Sequence, residues 1–324
     1  MLVFYGFMKT LTPKALRKGD TIGLISPSSH CAYPDKIGQA VGYLENNGYR
    51  VKPSRHLNCI DPDPAIADQQ KLHDLHEMFL DPAIKAIICL RGGAGASRLL
   101  KKINYDLIAV NPKIVVGYSD ITALSLALFA KTGLISFSGP MLATELYKPT
   151  PYTEEHFWGM LTSPTYALSL ENYPGHTITC IKAGKAEGTL VGGNLSVLSS
   201  MIGTPYLPSL SDALLFLEDI NEPAYRIDRM LSHLSNAGLL AQSKGVLFGQ
   251  FGNEAENTAA ENLRQQNIFN YYSEELHLDV PVMRGLSYGH IKNLMTIPIG
   301  ARVKMELSKA GNFSLGALNP VIET

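Results

Sequence analysis

Apolar runs and amphipathic stretches alternate through the first half of the chain. "TIGLISPSS" (21–29) is a short apolar run closed by Pro27 and serines. "DKIGQAVGYLENNG" (35–48) has helical spacing and stops at Gly48. "YRVKPS", "AIKAIICLRGG", "KIVVGYS" and "LISFSGP" read as further strands. "DQQKLHDLHEMFLD", "GASRLLKKI" and "DITALSLALFAKTG" read as the helices between them, the last with Asp120 as its N-cap. Continuous apolar strands separated by helices predict a doubly wound parallel sheet.

The pattern loosens over 141–170, where Pro149, Pro151 and Pro164 surround one helix-like stretch. From about 171 strands dominate: "HTITCIKAG", "AEGTLVGG", "DALLFLEDI", "KGVLFGQF", "VPVMRGLSYGH", "LMTIPIGARVKMEL" and "NFSLGAL". Three helices interrupt them, "NLSVLSSMIG", "AYRIDRMLSHLSNAGLL" and "AAENLRQQNIFNYYSEEL". The expected division is an α/β domain over 1–145, a linker over 146–170 and a mixed α/β domain over 171–324 with more antiparallel content.

Composition narrows the function. The 324 residues carry a formal net charge of −1, so the clustered basic excess demanded by nucleic acid or an anionic membrane is missing. Cys31, Cys59, Cys89 and Cys180 are scattered with no metal-ligand spacing; an oxidising compartment would allow Cys31 to pair with Cys59, but free thiols in a reducing cytosol are the simpler reading. The opening "MLVFYGFMKT" lacks the charged leader and cleavage site of a signal peptide; Met1 and Met8 are both candidate starts. A cytoplasmic protein is expected.

Ser119 sits where a buried strand turns into a helix, the position at which open α/β sheets bind ligands. The N–H of Asp120 opens the helix and faces the same space. This has the form of a nucleophile elbow, although the glycine usual two residues after the serine is Ile121 here. A serine that simply ends a strand is the alternative. Gly92 and Gly93 follow another buried strand and read either as a second oxyanion donor or as a tight turn; a phosphate loop fails for want of its remaining residues. His290 lies in a glycine-rich turn, and Glu218 ends the apolar strand "ALLFLE". Alternation puts Glu218 on the face of Leu214 and Phe216, Asp219 on the opposite face, and leaves Glu222 to cap the next helix. His73, His76 and Glu77 read as a solvated helix face.

Six stretches through nearly the whole chain carry a resemblance: "KGDTIGLISPSS", "AIICLRGGAGASRLL", "IVVGYSDITAL", "GKAEGTLVGGNLSVLSSMIGTPYLP", "LLFLEDINEPAYRIDRMLSHL" and "GLSYGHIKNLMTIPIG". The chain resembles the LD-carboxypeptidases of serine peptidase family S66, which include murein tetrapeptide carboxypeptidases and microcin C self-immunity peptidases. The resemblance implies an N-terminal flavodoxin-like domain, a C-terminal swivelling β/β/α-type domain, and a site between them. It implies a triad of Ser119, Glu218 and His290, with oxyanion donors on Asp120 and on Gly93 in preference to Gly92. It also implies no metal or organic cofactor, a homodimer, and hydrolysis of the bond between an L-centre and terminal D-Ala in a murein tetrapeptide. Arg91, Asn194 and Arg229 are candidates, by residue type alone, for gripping substrate. The microcin branch places an aromatic residue against adenine from a loop before "GGN". Here that region is short and lacks tryptophan, and the single tryptophan, Trp158, lies in the linker. A microcin-type peptidase, a non-catalytic muropeptide- or nucleotide-binding module and an amidotransferase-like protein are the competing readings. The last would need a cysteine at the elbow, which no cysteine here occupies.

Overall fold

The computed structural model describes residues 10–252, 258–275 and 280–324; the candidate starts at Met1 and Met8 and the end of the "AAENLRQQNIFNYYSEEL" stretch lie outside them. The first five strands are β1 (Thr21–Ile25), β2 (Arg50–Pro53), β3 (Ile84–Cys89), β4 (Ile114–Val116) and β5 (Ser136–Ser138). They stand in the order 5-4-3-1-2, and all four pairings are parallel. The connecting helices are α1 (Pro34–Asn46), α2 (Pro64–Leu80), α3 (Ala96–Leu99), α4 (Tyr105–Ala109) and α5 (Thr122–Thr132). That strand order is flavodoxin-like, and connections leave in opposite directions from β1 and β3, opening a crevice at their carboxyl ends. The β-branched runs are used as expected: every residue of β4 is buried, as are Ile87, Ile88 and Cys89 of β3.

A tight turn follows at Leu142–Leu146, closed by the Leu146 N–H donating to the Met141 carbonyl at 3.1 Å. Helix α6 (Pro151–Thr162) comes next, capped by the Thr150 hydroxyl accepting from Thr153 N–H. The second sheet contains β6 (Thr179–Lys182), β7 (Gly184–Asn194), β8 (Ala213–Asp219), β9 (Gly245–Phe251) and β10 (Val282–Arg284). With them run α7 (Leu195–Ser200), α8 (Ala224–Asn236), α9 (Leu239–Gln242) and α10 (Ala259–Glu275). Three further strands are β11 (Ile297–Ile299), β12 (Arg302–Leu307) and β13 (Phe313–Ala317).

The second sheet runs β13-β12-β7-β8-β9-β10-β6. Its four central strands are parallel, and antiparallel partners flank them on both sides. One expectation is corrected here. "LMTIPIGARVKMEL" is not one strand: β11 joins the first sheet, antiparallel to β5, while β12 joins the second. The chain turns at Gly300, whose φ of +91° an L side chain rarely adopts and whose missing Cβ leaves room for the Phe129 ring. "VPVMRGLSYGH" is likewise strand only over Val282–Arg284, and its remainder forms the loop that carries His290.

Further bonds lock the sheets to one another across the cleft. Asn194 N–H donates to the Thr122 hydroxyl at 3.1 Å, joining the end of β7 to the start of α5. The Tyr288 and Ser138 hydroxyls meet at 2.5 Å, both fully buried. The Thr153 hydroxyl donates to the Lys292 carbonyl and accepts from Leu294 N–H. The loop between β10 and β11 is therefore fixed from both sides.

Candidate active site

Ser119 has φ +62°, a left-handed conformation uncommon for a residue with a Cβ. Holding it costs about 1 kcal/mol or more, so the surrounding packing must impose it. It marks a sharp elbow: β4 ends at Val116, and the following turn makes its first backbone bond from Ile121 N–H to the Tyr118 carbonyl at 3.2 Å. The Asp120 N–H precedes that first bond and belongs to the unpaired donors of a helix start. The Asp120 side chain does not cap its own helix, contrary to expectation. Its Oδ2 accepts from the Ser28 hydroxyl at 2.6 Å and from Ala96 N–H at 2.9 Å, tying the loops after β1 and β3 to the elbow. The glycine pair abuts the same spot. A Cβ on Gly92 would lie 2.7 Å from Ser119 Oγ, and Gly93, at φ +125°, would overlap the Ser29 hydroxyl if it carried one. Gly92 thus leaves open space beside Ser119, and Gly93 leaves room for Ser29.

Glu218, at the end of β8, is completely buried. Its Oε2 accepts from His290 Nδ1 at 2.8 Å, and His290 Nε2 lies 3.1 Å from Ser119 Oγ. A carboxylate only accepts, so the Nδ1 position carries the proton and Nε2 is left to accept from the serine hydroxyl. The three residues come from a strand of each sheet and from the loop between β10 and β11.

The register reading of the neighbouring acids needs correction. Strand β9 carries an extra residue opposite the Leu217–Asp219 step of β8, and the two acids nevertheless reach one side chain. Asp219 and Glu218 share one partner, Asn194 Nδ2, at 3.0 and 3.2 Å. Asp219 also accepts from Ser196 N–H at 2.8 Å and from Ile220 N–H at 2.9 Å, so it serves the start of α7. Glu222 does not cap α8, whose N-cap is Pro223; it pairs instead with Arg226 at 3.3 Å.

Two groups that pattern reading missed act on His290. Glu145, in the turn after β5, accepts from the Tyr118 hydroxyl at 2.7 Å and from Met141 N–H at 3.1 Å. Burial holds its carboxyl above the usual range, partly offset by bonds from Thr144 and Tyr118. The Tyr118 ring packs 4.9 Å from the His290 ring. Burial pushes the His290 imidazole down, but its bond to Glu218 and the charges of Glu218, Glu145 and Asp219 outweigh this and raise it above its ordinary value. Burial, then the Glu218 charge, pushes Asp219 up to about 6. "GYSD" shows the tyrosine, but nothing in the chain's periodicity marks Glu145.

The three substrate-gripping candidates fare differently. Asn194 is buried; its amide nitrogen is spent on the two acids and its oxygen on Ser196 Oγ and Val197 N–H. It is a scaffold for the acids and has no polar atom to spare for substrate. Arg229 lies on the exposed face of α8, its guanidinium 5.5 Å from the centre of the Tyr225 ring. Arg91 precedes Gly92 directly; it donates to the His30 carbonyl at 3.3 Å, and its buried Nε has no hydrogen-bond partner among the described residues. A cavity of about 780 Å³ opens at His290, walled by Tyr118, Glu145 and Tyr147 and flanked by Lys148 and Lys292. Both lysines are exposed, and neither forms an ion pair among the described residues. His73 and His76 do not act as a pair: His76 Nε2 accepts from Asn104 N–H at 3.0 Å, whereas His73 faces Asp74 and Glu77. Trp158 stacks on Tyr49 at 4.7 Å and donates to the Tyr43 hydroxyl.

Comparison with known proteins settles the family. The model of the LD-carboxypeptidase N-terminal domain matches residues 22–139, and that of the LD-carboxypeptidase C-terminal domain matches 187–305. The chain belongs to the LD-carboxypeptidase family, peptidase S66. It is an enzyme of the carboxypeptidase class. A probable murein peptide carboxypeptidase of Bacillus subtilis is 38% identical over 94% of both chains. The murein tetrapeptide carboxypeptidase of Pseudomonas aeruginosa is 30% identical over 88% of this chain and 92% of its own. Among solved structures, an MccF-like protein of Bacillus anthracis superposes with a TM-score of 0.86 at 32% identity, covering 96% of this chain and 100% of that one. The S66 fold expected from the resemblance is the fold observed. No helix among the described residues is long and apolar enough to cross a membrane.

Proposed function

We propose that this carboxypeptidase hydrolyses the bond between the L-centre of a diamino acid and the terminal D-Ala of a murein tetrapeptide, with Ser119 as nucleophile. The observation that carries the reading is the unbroken chain Ser119–His290–Glu218, at 3.1 and 2.8 Å, set on a left-handed elbow. His290 Nε2 removes the proton of Ser119 as its oxygen attacks the carbonyl of the L-centre. The N–H groups of Asp120 and Gly93 receive the developing oxyanion. His290 then protonates the departing D-Ala nitrogen, and water, activated by the same imidazole, releases the tripeptide. Glu218 fixes the tautomer and offsets the imidazolium charge. Lys148 and Lys292 give the cavity mouth a positive field suited to a peptide rich in carboxylates.

Relatives named for murein peptides support this substrate class. A microcin C7 self-immunity protein of Escherichia coli, 27% identical over 90% of this chain, keeps the second branch in view. One observation favours the murein branch: only Ala183 separates β6 from β7, which leaves no room there for a nucleobase-stacking loop. The same reading carries a cytoplasmic homodimer acting on recycled muropeptide. The test is an assay of free alanine from L-Ala-γ-D-Glu-meso-diaminopimelate-D-Ala beside an all-L analogue. Release of D-Ala with no release of L-Ala is expected. Equal rates on both, or turnover only of an aminoacyl sulfamoyl nucleoside, would overturn it.

A further inference from the structure

A second cluster of chemistry-bearing side chains lies away from Ser119, His290 and Glu218. The segment after β2 brings His56 against α2, which carries His73, Asp74 and Glu77. His56, His73 and Asp74 each present one ligand atom, and the three atoms lie within 4.8 Å of one another. His56 Nδ1 is 2.8 Å and His73 Nδ1 3.6 Å from the same oxygen, Asp74 Oδ1. The two rings stand edge to face with centroids 5.6 Å apart.

Three further features resemble a built metal site more than a surface coincidence. Asp74 is buried, and its other oxygen, Oδ2, accepts from the His56 backbone N–H at 3.0 Å, which fixes the carboxylate plane with Oδ1 toward the imidazoles. The far nitrogen of His73, Nε2, lies 3.5 Å from Glu77 Oε1, the carboxylate partner that orients a metal-bound histidine. The segment carrying His56 is itself anchored, because Asn58 is held at a φ of +62° by bonds to Ser26 and to both backbone groups of Cys31. Two imidazoles and one carboxylate suit zinc, or another borderline divalent transition metal, and suit magnesium and calcium poorly.

We propose that His56, His73 and Asp74 form a site for one zinc-class divalent cation, with the fourth position open to solvent. The cation takes the place of the Nδ1 proton in the His56–Asp74 bond, and the neutral imidazole carries its proton on Nε2 instead. The cation clips the segment after β2 to α2. His56 also lines a hollow of about 210 Å³ whose other wall includes Ser28, Ser29 and Ala94. Ser28 and Ser29 brace the elbow and the glycine loop through Asp120 and Ala94. The role is therefore structural support behind the reacting groups, not a part in bond cleavage.

The test uses the full chain, stripped with chelator and exchanged into metal-free buffer. Zinc chloride is titrated calorimetrically while thermal unfolding is followed, with magnesium chloride as a parallel arm and cobalt(II) as a spectroscopic probe. Expected results are one equivalent of zinc bound, a raised unfolding midpoint with zinc but not magnesium, and the visible absorption of four-coordinate cobalt(II). The His73 side chain is 44% exposed, so His73→Ala leaves the metal-free midpoint and peptidase activity unchanged. It weakens zinc binding by roughly tenfold or more and removes the stabilisation. Zinc affinity unaltered by His73→Ala, or no saturable binding by wild type, would overturn the assignment. So would binding that is abolished only by a change at His290.

Discussion

The two sheets furnish the cleft with different kinds of group. The first contributes backbone: Ser119 held left-handed, Gly92 against it, and the N–H groups of a helix start. The second contributes ionisable side chains: Glu218 and Asp219 from one strand end, and His290 from the loop between β10 and β11. In the proposed mechanism one side arranges the nucleophile by strain and shape, and the other sets its proton affinity by burial and charge. Perturbing the second side should therefore change rates and pH profiles with the elbow intact, whereas perturbing the first should trade stability against activity.

The largest effect is expected at His290. His290→Ala removes the proposed base and should lower kcat by about 10⁴ to 10⁶ while circular dichroism stays unchanged. A variant keeping a tenth of wild-type activity would dissolve the proposed division of labour. Next come the paired acids of β8. Glu218→Gln should lower kcat by about 10² to 10⁴ because the imidazole loses its orienting acceptor. Asp219→Asn should show itself in thermal stability, through the start of α7, more than in kcat. If Asp219→Asn is the inactive one of the two, the assignment is wrong by one residue.

The backbone side has a thermodynamic signature. Ser119→Gly relieves the left-handed strain and should stabilise the fold by roughly 1 kcal/mol while abolishing hydrolysis. Denaturant unfolding measures it, and a destabilised variant would mean that the elbow is unstrained. The smallest effect concerns Glu145. His290 must be neutral to accept a proton, and neighbouring acids hold its pKa above the ordinary value of about 6.5. Activity should therefore rise with pH through an acid limb centred above about 6.5. Glu145→Gln removes one negative charge, makes the imidazolium easier to discharge, and should move that limb to lower pH by less than about one unit. A limb that does not move would separate Glu145 from the base.

These two sides were not equally legible in the sequence. The parallel sheet and the elbow announce themselves locally, because a buried strand that breaks at "GYSD" needs only neighbouring residues to be seen. Glu218 could be singled out by its place after "ALLFL", yet alternation does not show that Asp219 shares the Asn194 amide with it and serves the start of α7. Among nine histidines, His290 stands out by its glycine-rich turn, and the resemblance gives it the role of base. The split of "LMTIPIGARVKMEL" between sheets is set by which strand edges remain unpaired, a property of the whole fold. Asn194 teaches a related lesson: residue type says nothing about whether an amide is already committed to two buried carboxylates. Glu145 and the lysines beside His290 become visible only when the chain is folded around the cavity.

The central claim is that the elbow serine of one sheet is the nucleophile served by the base of the other. The direct measurement is release of D-Ala from the murein tetrapeptide by Ser119→Ala, under conditions in which wild type completes the reaction. The account predicts an intact fold and a rate lower by about 10⁴ to 10⁶, the remainder coming from the oxyanion donors and substrate binding. D-Ala release by Ser119→Ala at a tenth of the wild-type rate or faster would contradict it.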